Sequence, residues 1–395
     1  MSAENTLTRE VRAESGAARR KIVGAQFDQV LLYAVLALCA IGLVMVYSAS
    51  SVSAATRYGD SAYFLKRQIA AALIGVGGLV AMLKIRYLTL RRWAYPILVA
   101  VIVMLVLVLI PGVGTRAGGA QRWIRLPLFS LQPSELAKVS IAIYLAHSLA
   151  KKRDKVKSFS VGFLPHCCIT GLCALLILVQ PDFGSTVALA IILFALLFAA
   201  GTRLSYLVGS ILAVLPIAIW QITSRSYRMD RIRAFLDPWT YRKEEGYQIT
   251  ESLLAIGSGG FSGLGLGEGR HKLFYLPEAH TDFIFSIIGE ELGLVGTLTL
   301  IGLFAVVIWR GIRISLNAAD PFGAYLALGL TILLAVQSIG NIAVAMGLMP
   351  TKGMTLPFIS YGGSSLVVNL MAVGILLSIS ESRGGFLRPQ QGSVR

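Results

Sequence analysis

The chain is poor in charge. Only 14% of its 395 residues are Asp, Glu, Lys or Arg, whereas 55% are hydrophobic and the mean hydropathy is +0.72. A soluble protein of this length would show amphipathic helices, but here apolar runs of about twenty residues recur without a polar face. A soluble multidomain protein is therefore excluded. Acidic residues are scarcer still, 20 against 36 Lys and Arg. The excess of +16 would suit nucleic acid, yet the basic residues stand in short clusters between apolar runs, the pattern of membrane orientation. No nucleic-acid partner is expected.

The four cysteines, Cys39, Cys167, Cys168 and Cys173, all fall inside apolar runs, so no disulfide framework is expected. His166 beside Cys167 and Cys168 imitates a metal motif, but adjacent helical residues point about 100° apart and do not converge on one ion. A cleavable signal peptide is not expected either, because the first two dozen or so residues are polar and include Arg9, Arg12, Arg19, Arg20 and Lys21. Internal repeats and low-complexity segments are absent, which argues against a repeat-built transporter.

What is present is an all-α polytopic membrane protein. Ten spans are predicted at residues 29–47, 63–83, 93–110, 133–150, 161–179, 183–200, 205–222, 282–308, 325–346 and 363–379. The membrane domain covers residues 26–380, between a tail at 1–25 and a tail at 381–395. Basic clusters, among them Lys84, Arg86, Arg91, Arg92, the run at 151–157, Arg203, Arg310 and Arg313, lie on the side of both termini, which places the termini in the cytoplasm. The opposite face carries the long outer loop at 223–281. Its Ile232, Phe235 and Leu236 form one face of an expected interfacial helix, and residues 253–261 are expected to meet the membrane edge inside protein.

Residues 276–293, LPEAHTDFIFSIIGEELG, hold the most informative chemistry. His280, Thr281 and Asp282 precede an apolar run, and Glu290 and Glu291 follow about 12 Å further along a helix. Intramembrane carboxylates are costly and usually functional. At about 100° per residue Glu290 lies to the side of the Asp282 face and Glu291 roughly opposite, so the two glutamates should have different neighbours. For Asp282 three readings stand: a helix cap, a proton-coupled transport carboxylate, and a general base at a water-accessible mouth.

Other motifs line the same face. In GAQRWIRLPLFSLQPSELAK, Pro133 suits a first helical turn, so Glu135 and Lys138 share a face as an ion pair, a grip on a pyrophosphate or acidic lipid head, or both, with Arg122 nearby. Asp182 in QPDFGST suits a helix cap. Lys352 is either an interfacial lysine or a phosphate contact. SYGGSS, with Ser364, combines small residues for close helix approach with hydroxyls that bond across helices. GLGLGEG lacks a following GK[ST] and reads as a close-packed loop, not a phosphate cradle.

In their order, GAQRWI, LQPSELAK, QPDFGST, GYQITESLLAIGSGG, LPEAHTDFIFSIIGEELG and PTKGMTLPFISYGGSS resemble the SEDS (shape, elongation, division and sporulation) family over almost the whole ten-span core. PEAHTDF and PTKGMTLP look like the division member more than the elongation member. The resemblance implies a peptidoglycan glycosyltransferase that polymerises lipid II at the outer face of the inner membrane. The family's essential aspartate falls on Asp282, and its Glu and Lys pair on Glu135 and Lys138. The implied partners are lipid II, the growing glycan strand, a cognate class B penicillin-binding transpeptidase and other divisome membrane proteins. The leaving pyrophosphate calls for cations, with Lys138, Arg122 and Lys352 as candidates, or for a divalent ion, magnesium or manganese. His280 and Ser364 are further candidate substrate contacts. A lipid II flippase, an elongation polymerase and a division scaffold are the rival readings.

Overall fold

The computed structural model describes residues 27–117, 120–125, 130–223, 226–244, 246–273, 275–351 and 353–386. The fold is helical: α1 (Gln29–Tyr58), α2 (Tyr63–Lys84), α3 (Tyr87–Leu107), α4 (Pro133–Lys151), α5 (Leu164–Val179), α6 (Phe183–Ala199), α7 (Leu204–Thr223), α8 (Ser226–Leu236), α9 (Tyr247–Ser258), α10 (Ile284–Leu316), α11 (Pro321–Ala345) and α12 (Gly363–Phe386). Ten of these coincide with the ten expected spans; α8 and α9 lie in the long loop. The N-terminal tail and Lys352 fall outside the described residues.

Among the described residues, seven helices are long and apolar enough to cross a membrane, and α6 and the Leu204–Pro216 part of α7 are shorter apolar helices. α4 is not among the seven. Its Glu135 and Lys138 lower its hydropathy, and it tolerates them because it is the central helix, packed against α3, α6 and α11 with most of its length buried. α7 is the opposite case: Leu204, Val208, Ile211, Leu212 and Leu215 are exposed, as suits a peripheral helix facing lipid.

Two features were not expected. The connection between α3 and α4 forms a small antiparallel sheet, β1 (Gly114–Ala117), β2 (Ala120–Arg125) and β3 (Ser130–Leu131), in the order β1-β2-β3. This places Arg122 on a strand. The eighth span, expected to be continuous over 282–308, is broken at Gly293, whose backbone adopts φ 63°, ψ −158°. Only glycine adopts that conformation readily.

The long loop between α7 and α10 fills the break. Leu264 and Gly265 N–H groups donate to the Glu290 and Glu291 carbonyls at 3.0 and 3.1 Å, and Leu294 and Val295 donate to the Gly260 and Phe261 carbonyls at 3.0 and 3.2 Å. Backbone groups freed by the break are thus paired within protein, as membrane depth requires. α9 packs beside it, with Ser252 bonded to Ser286 and to the Ala345 carbonyl.

One end of the bundle is tied by the Asp28 carboxylate, which caps α1 and pairs with Arg310 at 2.7 Å, while the Asp28 N–H donates to Ser380 Oγ at 3.0 Å. The opposite end carries Asp282.

A Cβ at position 293 would sit 2.3 Å from Gly263 N and 2.7 Å from the Phe261 carbonyl oxygen, both backbone atoms. Gly293→Ala is therefore expected to destabilise the fold by about 1–3 kcal/mol or more, read as a lowered unfolding temperature in detergent. Unchanged stability would mean that the loop does not occupy the break.

Candidate active site

The end of the bundle opposite Asp28 gathers the N-termini of α4, α6, α10 and α12 and the C-terminus of α11. Asp282 rides on a turn wound around one carbonyl: the N–H groups of Thr281, Asp282 and Phe283 donate to Glu278 O at 3.1, 3.1 and 3.3 Å. Glu278 takes a left-handed φ of 55°, unusual for a residue with a side chain. Asn341 of α11 fixes the turn, donating through Nδ2 to the Asp282 carbonyl at 2.8 Å and to the Met354 carbonyl at 2.7 Å. From the other side Ser360 Oγ donates to the Thr281 carbonyl at 2.5 Å. Gln68 of α2 holds the Ser360 carbonyl at 3.0 Å.

The neighbouring carboxylates are engaged. Asp182 caps α6, accepting from Ser185 N at 3.1 Å and Ser185 Oγ at 2.8 Å, and reaches α4 through Ser134 Oγ at 3.0 Å and Gln132 Nε2 at 3.2 Å. Glu135 pairs with Lys138 at 2.7 Å, both side chains buried, and accepts from Gln337 Nε2 at 3.4 Å. Glu291 accepts from Lys272 Nζ at 2.7 Å and from Ser48 Oγ. Glu290 accepts from Arg270 N and from the His271 ring at 2.7 and 2.9 Å. The two glutamates do have different neighbours, and both hold the 263–272 loop.

Asp282 stands apart. The cap of α10 is Phe283, with no side-chain cap bond, and among the described residues no donor reaches the Asp282 carboxylate. It is half-buried, and burial pushes its carboxyl up to about 7; Glu278 raises it further, Arg122 opposes the rise and Asp182 adds to it. The capping reading of Asp282 therefore finds no bond to support it. A carboxyl poised near neutrality and open to a ligand is suited to take a proton.

The candidate cations differ. Arg122 is aimed by β2: Nε donates to the Gln180 carbonyl at 2.8 Å and Nη2 to the Pro181 carbonyl at 2.6 Å. Carbonyls do not neutralise it, so its charge stays available beside Asp282. Lys138 is buried and engaged by Glu135, one turn deeper. Gln337 and Asn341, four apart on α11, connect that pair to the Asp282 turn across about 6 Å. These two amides were missed in the sequence, although polar residues in an apolar span were the signal to find them. Ser364 Oγ accepts from Gln132 N at 3.1 Å and bonds to the Ser130 carbonyl, tying α12 to the start of α4. The His280 ring packs against Phe64 at 4.5 Å, and burial lowers its pKa. Among the described residues no three His, Cys, Asp or Glu side chains converge as metal ligands, and all four cysteines are free.

Geometry and sequence now point the same way. A family model described as "Cell cycle protein" matches residues 28–384, and the chain belongs to this FtsW/RodA/SpoVE family. More particularly, it is 51% identical over 356 residues to the "Probable peptidoglycan glycosyltransferase FtsW" of Trichlorobacter lovleyi, covering 90% of this chain and 93% of that one. A solved chain described under "Structural coordination of polymerization and crosslinking by a peptidoglycan synthase complex" superposes with a TM-score of 0.75 at 30% identity, covering 90% of this chain and 98% of that one. The rod shape determining protein RodA of Thermus thermophilus gives a TM-score of 0.67 at 28% identity, covering 90% and 97%.

The folded carboxyl of Asp282, near 7, lies above its free value of 3.8, so proton binding favours the fold. The cost of ionising it is absent below 3.8, grows as pH rises and is complete above about 7. Asp282→Asn is therefore expected to match the parent chain near pH 4 and to exceed it at pH 8 by on the order of 1–4 kcal/mol. Lower stability of the variant at pH 8 would restore the capping reading.

Proposed function

We propose that this chain is a peptidoglycan glycosyltransferase of cell division, polymerising lipid II at the outer face of the inner membrane. The observation that carries the reading is Asp282, a carboxylate without a protein partner among the described residues, at the mouth of a bundle whose neighbouring carboxylates are engaged. The ten helices cross the membrane with both termini in the cytoplasm, which sets Asp282 outside, where lipid II is displayed.

In the reaction, Asp282 removes the proton of the acceptor 4-hydroxyl while that oxygen bonds to C1 of the donor sugar. The C1–oxygen bond to pyrophosphate breaks with its electron pair, and C1 inverts. Arg122 stabilises the growing negative charge, with Lys138 as a deeper contact that must loosen from Glu135 to take part. Lys352, outside the described residues, is proposed as a further phosphate cation. Among the described residues no three carboxylate, histidine or cysteine side chains converge to hold a resident magnesium or manganese ion. The polyprenyl tails lie along the apolar helix surfaces. A class B penicillin-binding transpeptidase, docking through its own membrane helix, and other divisome membrane proteins are the proposed partners; the likeness to a synthase complex supports the first.

The break in α10 is the feature a flippase would share. Its freed backbone groups are paired with the 260–265 loop, so it offers no substrate path. The higher identity to the FtsW relative than to RodA supports division over elongation.

Purified chain reconstituted with its transpeptidase partner is expected to convert lipid II to glycan polymer in the presence of moenomycin. Folded Asp282→Asn should fall at least about a hundredfold, the scale of a lost general base. Lipid II crossing vesicle bilayers with no polymer from either chain would establish the flippase instead.

A further inference from the structure

The outer end of the α1–α2 hairpin carries a ring surface that the chemistry at Asp282 does not use. α1 runs 30 residues, about 45 Å, against about 30 Å of hydrocarbon, so its last turns stand clear of the apolar layer. There Tyr58 stacks on Tyr63 with centroids 3.9 Å apart and planes within 7°, and the Arg67 guanidinium covers Tyr63 at 4.5 Å from its centroid. Phe64 continues the surface, edge-on to both tyrosines, and touches His280 at 4.5 Å and Tyr361 at 4.9 Å. His280 stands two residues before Asp282, and its carbonyl accepts from Tyr361 N at 2.9 Å. A continuous path of rings therefore leads from the Asp282 turn to Tyr58.

Tyr58 is 51% exposed, so its face away from Tyr63 is open. Lys66 is paired with Asp60 at 2.8 Å, and the platform's net charge comes from the exposed Arg57 and Arg67. Flat rings locked by stacking offer contact area at little conformational cost. Pyranose rings present apolar C–H faces that pack on such surfaces, and arginines recognise carboxylates. A lipid headgroup needs the cations and has no use for the stacked faces.

We propose that the Tyr58–Tyr63–Arg67 stack, with Arg57, is a subsite for the growing glycan strand. Sugar faces lie on Tyr58, and the arginines pair with carboxylates of the peptides that the strand carries. The inference rests on the polymerase reading and extends it, assigning a hold on product that keeps the strand near Asp282 between additions.

The test separates the two. Full-length chain carrying Asp282→Asn, which binds without turnover, is placed in nanodiscs and titrated with soluble uncrosslinked glycan strands, with and without their peptides. Tyr58→Ala is expected to weaken binding of both probes about tenfold, Tyr58→Phe to preserve it, and Arg57→Gln to weaken only the peptide-bearing probe, about three- to tenfold. In the Asp282-intact chain, Tyr58→Ala and Arg57→Gln should shorten the polymer made from lipid II. Binding insensitive to both substitutions would overturn the subsite, as would lost recovery of the transpeptidase with glycan binding unchanged, which would mark a protein-docking face. Polymer absent from the Asp282-intact chain, with strand binding as expected, would count against the polymerase reading alone.

Discussion

The geometry of the Asp282 end depends on a pair of buried carboxylates. Glu291 binds Lys272 and Ser48, and Glu290 binds the His271 ring and the backbone at 270–271, each where α10 is about to break at Gly293. Both glutamates are fully buried, and removing one partner from such a pair typically costs about 3–5 kcal/mol. These contacts close residues 271–291 into a ring, with Asp282 near its middle. A long loop that would otherwise sample many conformations is thereby held at both ends, and the turn that carries Asp282 inherits that order.

The chemistry follows from what the ring leaves free. Asp182, Glu135, Glu290 and Glu291 join helices or hold loops, and each has donors that satisfy it. Asp282 receives its constraint through its backbone, from Glu278, Asn341 and Ser360, so the side chain is positioned without being occupied. Arg122 is held in a similar way: backbone carbonyls fix its guanidinium but leave its charge. A base and a cation fixed by neutral contacts suit a reaction in which a hydroxyl loses a proton as a pyrophosphate departs.

Much of this was legible in the sequence, and the remainder was hidden for physical reasons. The apolar runs located all ten helices, because periodicity and length are local properties. The Glu135–Lys138 pair and the Asp182 cap were legible because their partners lie three residues away. Of the readings left open, the cap at Asp282 finds no bond among the described residues, and the expected Glu135–Lys138 ion pair is present, while Arg122 is held by carbonyls alone. Hidden features were non-local: Ser48 meets Glu291 across 243 positions, and the Gly293 break is stabilised by backbone from residues 260–265. Gln337 and Asn341 could have been singled out as polar residues in an apolar span, but their partners, Glu135 and the 282 and 354 carbonyls, could not.

The central claim is that Asp282 acts as a base held near neutrality by its surroundings. Its most direct test is the pH dependence of single-turnover glycan transfer from lipid II, measured for the parent chain and for Arg122→Gln. The account predicts a rate that rises with pH through an inflection near 7, and an inflection moved to higher pH when the opposing cation is removed. A rate independent of pH between 5 and 9, or an inflection unmoved by Arg122→Gln in a folded chain, would contradict it.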